Sequence, residues 1–430
     1  MPENAAWMNN LPPGTQEAAR LFWDSLSPVD RREIENLIGA LPSEAGLMRL
    51  LVRLATHQFR TTFGKKSKVV IVGPANVGKS TLYNQLVRRR EDRAEVSPLP
   101  GTTRQNQVAD AGLFTVVDTP GADAVGEVGE HEQTLALQAA QEADFLIIVF
   151  DAIQGIKRTE LELYERLVAL GKPYVVALNK VDLVRRDSKK VVEAAANALS
   201  LAYDQVIPIV AKSGENMDDI LAAIAATEPE IVAALGQALP HYRWQLAWRT
   251  IVSAASASAV IALTPLPVID FIPLTITQSL MVLGIARIYT YQITLARARE
   301  LVVSFGLGFL GRTLFQQLSK LGGVPGWFLS AAIAASTTVV MGYAASVWFE
   351  TGERLSSQAI RQITREVTGY LLDRLKTLGR KKPSQESFKQ RVEETLEQAP
   401  MAQDRSVLDR QAQETRESEN QDPANPTSRR

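Results

Sequence analysis

Eight consecutive residues, Gly73-Pro74-Ala75-Asn76-Val77-Gly78-Lys79-Ser80, have the spacing of a phosphate-binding loop, G-x-x-x-x-G-K-[ST]. Glycines let a backbone wrap so that its N–H groups face phosphate oxygens, and the N-terminus of a following helix adds positive potential. A β-branched run, Lys68–Val72, precedes the loop and a helical stretch, Thr81–Arg90, follows it. This context favours a phosphate cradle, extending from Gly73 to Thr81, over a chance glycine-rich turn.

Four residues are candidates for binding the phosphates of a nucleotide and its Mg²⁺, two in the loop and two further along the chain. Lys79 can bridge β- and γ-phosphates, and the Ser80 hydroxyl can ligate Mg²⁺. Asp118 and Gly121 belong to the motif Asp118-Thr119-Pro120-Gly121, which begins at the last residue of the β-branched run Leu113–Asp118. We expect Asp118 to hold the Mg²⁺ and the Gly121 N–H to sense the terminal phosphate.

Two short motifs near the ends of later strands favour guanine as the base. In Asn179-Lys180-Val181-Asp182, the Asp182 carboxylate can accept hydrogen bonds from both N1–H and the 2-amino group of guanine. Adenine lacks this donor pair, and sites of this kind discriminate by roughly 10⁴–10⁵. The first two residues, Asn179 and Lys180, would brace the loop and cover the base. In Val210-Ala211-Lys212, a backbone N–H, assigned to Ala211, would meet guanine O6.

The elements between these motifs predict the fold. Short β-branched runs alternate with amphipathic, helix-length segments over residues 66–235, which is typical of an α/β domain with a doubly wound, mostly parallel sheet. The five predicted strands are Lys68–Val72, Leu113–Asp118, Asp144–Phe150, Tyr174–Asn179 and Val206–Val210. Because each motif follows a strand, all four should meet at the carboxyl edge of the sheet, where such folds bind ligands.

The motif set resembles the small GTPase domain of the Era- and TrmE-like branch of the P-loop GTPases, over about 170 residues. Pro100-Gly101-Thr102-Thr103-Arg104 is similar to the switch I motif of that branch, and Asn76 matches an Asn at the fourth position of its phosphate loop. The resemblance implies hydrolysis of GTP to GDP and phosphate with Mg²⁺. It also implies that Thr103, together with Ser80 and Asp118, serves the metal in the GTP state.

One position departs from the commonest GTPase pattern. Ala122 stands where many GTPases carry a water-positioning Gln after D-x-x-G. Some members of the resembled branch use K⁺ in place of that group, and the resemblance assigns its shell to Asn76 and Thr102. The alternatives are that Asn76 only braces the loop, or that Glu127 or Glu130 orients water once switch II is ordered. A homodimer or an effector protein could supply that order.

The second half of the chain is much more apolar. Thr250–Ile269 and Leu321–Phe349 carry no charged residue and are long enough to cross a bilayer. This predicts an apolar helical domain at 240–375 that is membrane-associated through 250–349, with the GTPase domain and the tail in the cytoplasm. The open alternative is a soluble bundle whose central helices are apolar on every face.

This apolar region resembles the uncharacterised helical domain of YcjF-like membrane proteins. The residues that carry the likeness are Pro265-Leu266-Pro267-Val268-Ile269-Asp270 and Thr337-Thr338-x-x-Met341-Gly342. No biochemical role comes with it. The flanking segments are predicted to be an N-terminal helical cap or partner-binding arm at 1–65 and a polar, largely disordered tail at 376–430, with a short helix near Gln385–Gln398.

Composition narrows the functional classes. Lys plus Arg and Asp plus Glu both number 47, so the zero net charge argues against a whole-chain nucleic-acid binder. The chain has no Cys and three His, which excludes thiolate chemistry and argues against a histidine-built metal site. Its first residues lack a signal peptide pattern, which favours cytoplasmic synthesis.

Three functional interpretations remain open at this point. The first is a GTP-hydrolysing switch at the cytoplasmic face of a membrane. The second is a soluble cytoplasmic GTPase acting in ribosome or RNA assembly, although the C-terminal half offers no G-x-x-G loop with flanking basic residues and no aromatic RNA-stacking motif. The third is a dynamin-like membrane remodeller.

Overall fold

The computed structural model describes residues 68–87, 103–104, 113–118, 136–263, 271–293, 298, 301, 325–375 and 383–421. The described chain divides into two compact units. An α/β unit contains the described residues from 68 to 87 and from 113 to 242, and a helical unit contains residues 103–104 and those from 243 onward. The predicted cap at 1–65, Thr102, Gly121 and the switch II stretch lie outside the described residues.

The α/β unit is built on a parallel sheet of five strands, which are β1 (Val69–Gly73), β3 (Phe114–Asp118), β4 (Phe145–Asp151), β5 (Tyr174–Asn179) and β6 (Val206–Ile209). Their order across the sheet is β3-β1-β4-β5-β6. The runs of Val, Ile, Leu and Phe in β1 and β4 are buried along their whole length, as expected of a sheet covered on both faces. The predicted fold class is confirmed.

Helices of the α/β unit alternate with these strands. They are α1 (Lys79–Leu86), α2 (Arg158–Ala169), α3 (Ser188–Ala198), α4 (Met217–Thr227) and α5 (Val232–Ala238). The apolar residues of α2 and α3 face the sheet and join one core with β1, β4 and β5. Two hydrogen bonds join Lys157 and Glu160 at the start of α2. The backbone N–H of Lys157 donates to the Glu160 carboxylate, and the backbone N–H of Glu160 donates to the Lys157 carbonyl oxygen.

The helical unit has an apolar centre and a polar periphery. Its central, most apolar members are α6 (Arg243–Leu263), α7 (Phe271–Ile288) and α8 (Gly326–Thr351), and α8 is buried on all faces. Around them lie α9 (Ser357–Leu375), α10 (Gln385–Glu397), α11 (Pro400–Gln403) and α12 (Ser406–Gln421). By length and composition, Pro240–Leu263 and Gly326–Thr351 could each cross a membrane.

The C-terminal helices differ from the expected disordered tail. Helix α10 matches the short helix expected near Gln385–Gln398, and α11 and α12 continue the ordered chain to Gln421. The side chains of Phe388, Val392 and Leu396 are buried. Their spacing of four residues places them on one helix face, so a polar segment still carries a stripe that needs a partner.

A short two-stranded sheet also belongs to the helical unit. Strand β2 (Thr103–Arg104) pairs antiparallel with β7 (Tyr291–Gln292), with Thr103 opposite Gln292. Thr290, directly before β7, has a backbone φ of 68°, which is costly for a β-branched residue. The buried Tyr291 ring stacks against Phe349 of α8, with ring centroids 5.4 Å apart, and this fixes β7 on the bundle.

Glycine allows the central helices to approach closely. A Cβ added at Gly342 of α8 would lie 2.3 Å from Ile251 Cγ1 of α6 and 3.3 Å from Met281 Sδ of α7. Gly369 of α9 is different, because an added Cβ there has no neighbour within 4 Å.

We therefore expect opposite effects from the same substitution. Gly342→Ala should lower the free energy of unfolding by about 1–3 kcal/mol, because α6 and α8 must separate. Gly369→Ala should raise it by roughly 0.5–1 kcal/mol through helix propensity. Urea denaturation of the two full-length variants measures both, and equal shifts would contradict the close packing.

Candidate nucleotide site

The phosphate-binding loop connects the end of β1 to the start of α1, in the strand–loop–helix order that the sequence predicts. Gly73 lies against the neighbouring strand, and a Cβ there would be 2.2 Å from the Val149 carbonyl oxygen. Gly78 precedes α1 with a φ of 97°, and Asn76 also adopts the left-handed region, with a φ of 64°. The turn therefore depends on residue types that tolerate this backbone.

Lys79 directs its ammonium group into the loop. The side chain is buried, with 2% exposure, and Nζ donates to the carbonyl oxygens of Gly73 (2.7 Å) and Pro74 (2.5 Å). The ammonium group is thus held by two backbone carbonyl oxygens, and the oxygens of a bound phosphate would compete with them for its hydrogen bonds. Ser80 and Thr81 lie exposed in the first turn of α1.

Asn179, at the end of β5, joins three segments. Its Nδ2 donates to the Val77 carbonyl oxygen of the phosphate loop (2.8 Å), and its Oδ1 accepts from the Ala211 N–H after β6 (2.9 Å). The side chain is buried, so both bonds are shielded from water. A Cβ at Gly78 would come within 2.4 Å of Nδ2, which makes glycine part of the same arrangement.

Lys180 connects the base-binding motif to the phosphate loop and to a carboxylate. Its Nζ donates to the Asn76 carbonyl oxygen (2.7 Å) and to Asp151 Oδ2 (2.6 Å). Asp151 ends β4, is 3% exposed, and accepts from the Ile153 N–H through Oδ1 (2.7 Å). Each oxygen of this buried carboxylate therefore has a partner. One oxygen stabilises the turn after β4, and the other holds Lys180 in place.

Asp151 is a site residue that the sequence reasoning missed. Its partner lies 29 residues later, so no local motif announces the pair. One signal was available, since a carboxylate at the end of a buried apolar strand needs a partner.

The remaining predicted residues that the structure describes lie at the same sheet edge, with the exception of Thr103. Asp118 ends β3 directly opposite Gly73 of β1, and Asn179 is opposite both Asp151 and Ile209. Asp182 is half-buried in the first turn of a 3-10 helix, while Ala211 is buried and Lys212 exposed. Thr103 is described by its backbone in β2, in the helical unit.

Comparison with known proteins agrees with this geometry. Residues 68–180 match the profile of a family described as "50S ribosome-binding GTPase". They form a P-loop GTPase domain. Residues 229–374 match a second profile, described as a domain of unknown function, DUF697. The order of an α/β GTPase domain followed by an apolar helical domain is therefore confirmed.

Curated relatives match a part of this chain that is about as long as its α/β unit. GTPase Der of Geotalea daltonii is 33% identical over 177 residues, covering 39% of this chain and 38% of the relative. GTPase Der of Solidesulfovibrio magneticus is 40% identical over 173 residues, covering 38% and 36%. The match thus spans less than two fifths of each relative.

Among solved structures, Era of Aquifex aeolicus bound to GDP and AlF4⁻ is 25% identical. The alignment covers 48% of this chain and 70% of that one, with a TM-score of 0.30.

The contact between Asp151 and Lys180 gives a test of the GTPase domain. Asp151→Asn should weaken GDP and GTP affinity about tenfold, equivalent to ~1.4 kcal/mol, because Lys180 loses its charged partner. Asp187→Asn is the matched control, because the exposed ion pair of Asp187 with Lys190 contributes little. Titration with a fluorescent guanine nucleotide measures both, and equal affinities would contradict the positioning role.

Proposed function

We propose that this protein binds GTP and hydrolyses it to GDP and phosphate as a Mg²⁺-dependent molecular switch. The observation that carries this proposal is the Asn179 side chain, which hydrogen-bonds to the phosphate loop on one side and to the Ala211 loop on the other. Such an arrangement holds the segments for phosphate and for base in one register. It is the preorganisation that a nucleotide site requires.

The described residues suggest how each part of the nucleotide would be held. Lys79 would exchange the carbonyl oxygens of its loop for β- and γ-phosphate oxygens as the nucleotide enters. The Ser80 hydroxyl and Asp118, placed at the start of α1 and opposite Gly73, are hard oxygen donors suited to Mg²⁺. The bound metal would neutralise charge on the phosphates during transfer. Thr103 and Gly121 complete the proposed set by resemblance.

Guanine selection is assigned to Asp182 and can be tested by changing the hydrogen-bond pattern. Asp182→Asn should lower GTP affinity by on the order of 10⁴-fold, because an amide cannot accept from both guanine donors. The same variant should gain affinity for xanthosine triphosphate, whose C2 oxygen accepts from the new amide. Competition titrations with the two nucleotides give the result. Unchanged GTP affinity would contradict the assignment.

Potassium is the proposed substitute for the missing Gln at Ala122. The Asn76 side chain is exposed, while its backbone is fixed in the left-handed region by the loop and by Lys180. An exposed amide oxygen in the phosphate-binding loop can coordinate a monovalent cation.

We expect GTP hydrolysis to run faster in K⁺ than in Na⁺ at equal ionic strength. Asn76→Gly should remove that difference, because glycine keeps the φ of 64° and deletes the amide. Steady-state phosphate release in the two salts provides the measurement. Equal rates in wild-type protein would refute the role of K⁺.

We further propose that the helical unit brings the chain to a membrane, with the GTPase domain on the cytoplasmic side. Two helices of sufficient length and apolar character support this. The second candidate is a soluble GTPase acting on ribosomes, and it is favoured by the match of residues 68–180 to a family described as "50S ribosome-binding GTPase". In this candidate the two apolar helices are core helices, which have the same composition as spanning helices.

Fractionation of cells separates the two candidates. We expect the full-length chain to stay with membranes after an alkaline carbonate wash, which strips peripheral proteins. Recovery of all the protein in the soluble fraction, together with ribosomal particles, would support the second candidate instead.

A further inference from the structure

The two candidate spans are enclosed by protein in this structure. In the most apolar 18-residue stretches of Pro240–Leu263 and Gly326–Thr351, 83% and 94% of the residues are buried. On α6, part of this burial comes from the C-terminal segment 385–421, here called the cover, which contains α10, α11 and α12, whereas α8 packs mainly against α6, α7 and α9. Its apolar stripe, Phe388, Val392 and Leu396, is buried within the unit.

The cover is fixed to α6 by directed contacts. The indole N–H groups of Trp244 and Trp248 donate to the carbonyl oxygens of Met401 (3.0 Å) and Leu396 (3.3 Å). Further along α6, Arg249 pairs with Glu397 at 2.9 Å. Near the middle of the helix, the Ser256 hydroxyl donates to Glu393 Oε1 at 2.9 Å.

Arg405 holds the cover to two helices at once. Its guanidinium pairs with Glu350 of α8 and with Asp409 of α12, and lies 5.9 Å from the centre of the Trp244 ring of α6. Asp409 also accepts from the Tyr343 hydroxyl of α8 at 2.7 Å. Burial lowers the pKa of Arg405, but the carboxylates of Glu350 and Asp409 raise it by more, so the guanidinium stays ionised.

These contacts cannot persist in a bilayer. Glu393 and Asp409 meet α6 and α8 at interior positions of both helices, which would lie within the hydrocarbon of a spanning state. A carboxylate is strongly disfavoured there, because lipid tails cannot replace its hydration. The packing seen here and a bilayer-spanning state of α6 and α8 therefore exclude each other.

The apolar helices themselves have no such conflict. Most of their hydroxyl groups donate to a backbone carbonyl of the preceding turn, as Thr250 does to Leu246, Ser258 to Ala254 and Ser346 to Gly342. Between helices, Thr338 donates to Ser258 (2.9 Å) and accepts from Gln278 (3.1 Å). Polar groups satisfied within and between helices are compatible with lipid. Among the segments packed on α6, the cover is therefore the one whose charged contacts conflict with a membrane.

We propose that residues 385–421 form a releasable cover that keeps α6 and α8 out of a lipid bilayer, and that its release lets both helices enter one. This rests on the membrane part of the proposed function and is independent of GTP hydrolysis. The partner is the apolar interior of a bilayer, since the surfaces released from under the cover belong to helices long enough to span it.

The absence of cysteine from the sequence permits a direct test. Arg249→Cys and Glu397→Cys place thiols on partly exposed residues of α6 and the cover, with side-chain exposures of 34% and 42%. A short bis-maleimide then fixes the cover in place on the full-length chain. Arg405→Gln, added to the same chain, removes the contact that joins the cover to α8. The R249C/R405Q chain, with one thiol, is the matched control for the reagent.

Flotation with phosphatidylcholine–phosphatidylglycerol vesicles reads out the result. We expect Arg405→Gln to raise the vesicle-bound fraction several-fold, and cross-linking to abolish that gain while the single-thiol control keeps it. Equal flotation of cross-linked and uncross-linked chains would overturn the proposal. So would a failure of the R405Q chain to float when circular dichroism shows that it is folded.

The same samples distinguish this inference from the other proposals. Phosphate release by each variant tests the GTPase function separately, since Arg405 and Arg249 lie outside the α/β unit. Carbonate-resistant wild-type protein that floats equally well with the cover cross-linked would preserve membrane association and refute the cover alone.

Discussion

The nucleotide site depends on one buried amide. Asn179 places a donor on the Val77 carbonyl and an acceptor on the Ala211 N–H, so loops that follow three different strands share one side chain. Neither bond can be replaced by water without opening the sheet edge. Gly78 is glycine because the same amide occupies the space of a Cβ. The parallel sheet supplies the rest, because it brings every motif to one edge.

In the helical unit, too, buried polar groups are satisfied by a few specific hydrogen bonds. The central helices satisfy their hydroxyl groups internally and pack closely at Gly342. Whether these helices face protein or lipid then depends on the segment packed on them. Here that segment is the polar cover, which is held by Arg405 and a few further directed contacts. Hydropathy alone cannot separate a buried helix from a spanning one, because both present the same apolar surface to their surroundings.

Sequence reasoning succeeded where function is encoded locally. The phosphate loop and the five strands could be predicted because their patterns lie within a few residues, and the described motifs meet at the expected edge. It failed for Asp151, whose role is set by a partner that directly follows the next strand. It also misjudged the segment after residue 403, where polar composition hid a helix with buried Leu408 and Ala412. Tertiary contacts, which no local pattern reports, decided both cases.

The most direct test of this account removes the amide. Asn179→Ala leaves a buried carbonyl and a buried N–H without partners, each at a cost of about 1–3 kcal/mol. We predict that GDP and GTP affinity, measured by calorimetry on the full-length chain, falls by on the order of 10²-fold. The exposed Asn197→Ala in α3 should bind as the wild type does. An N179A protein that is folded and binds guanine nucleotide with unchanged affinity would contradict the central role of this residue.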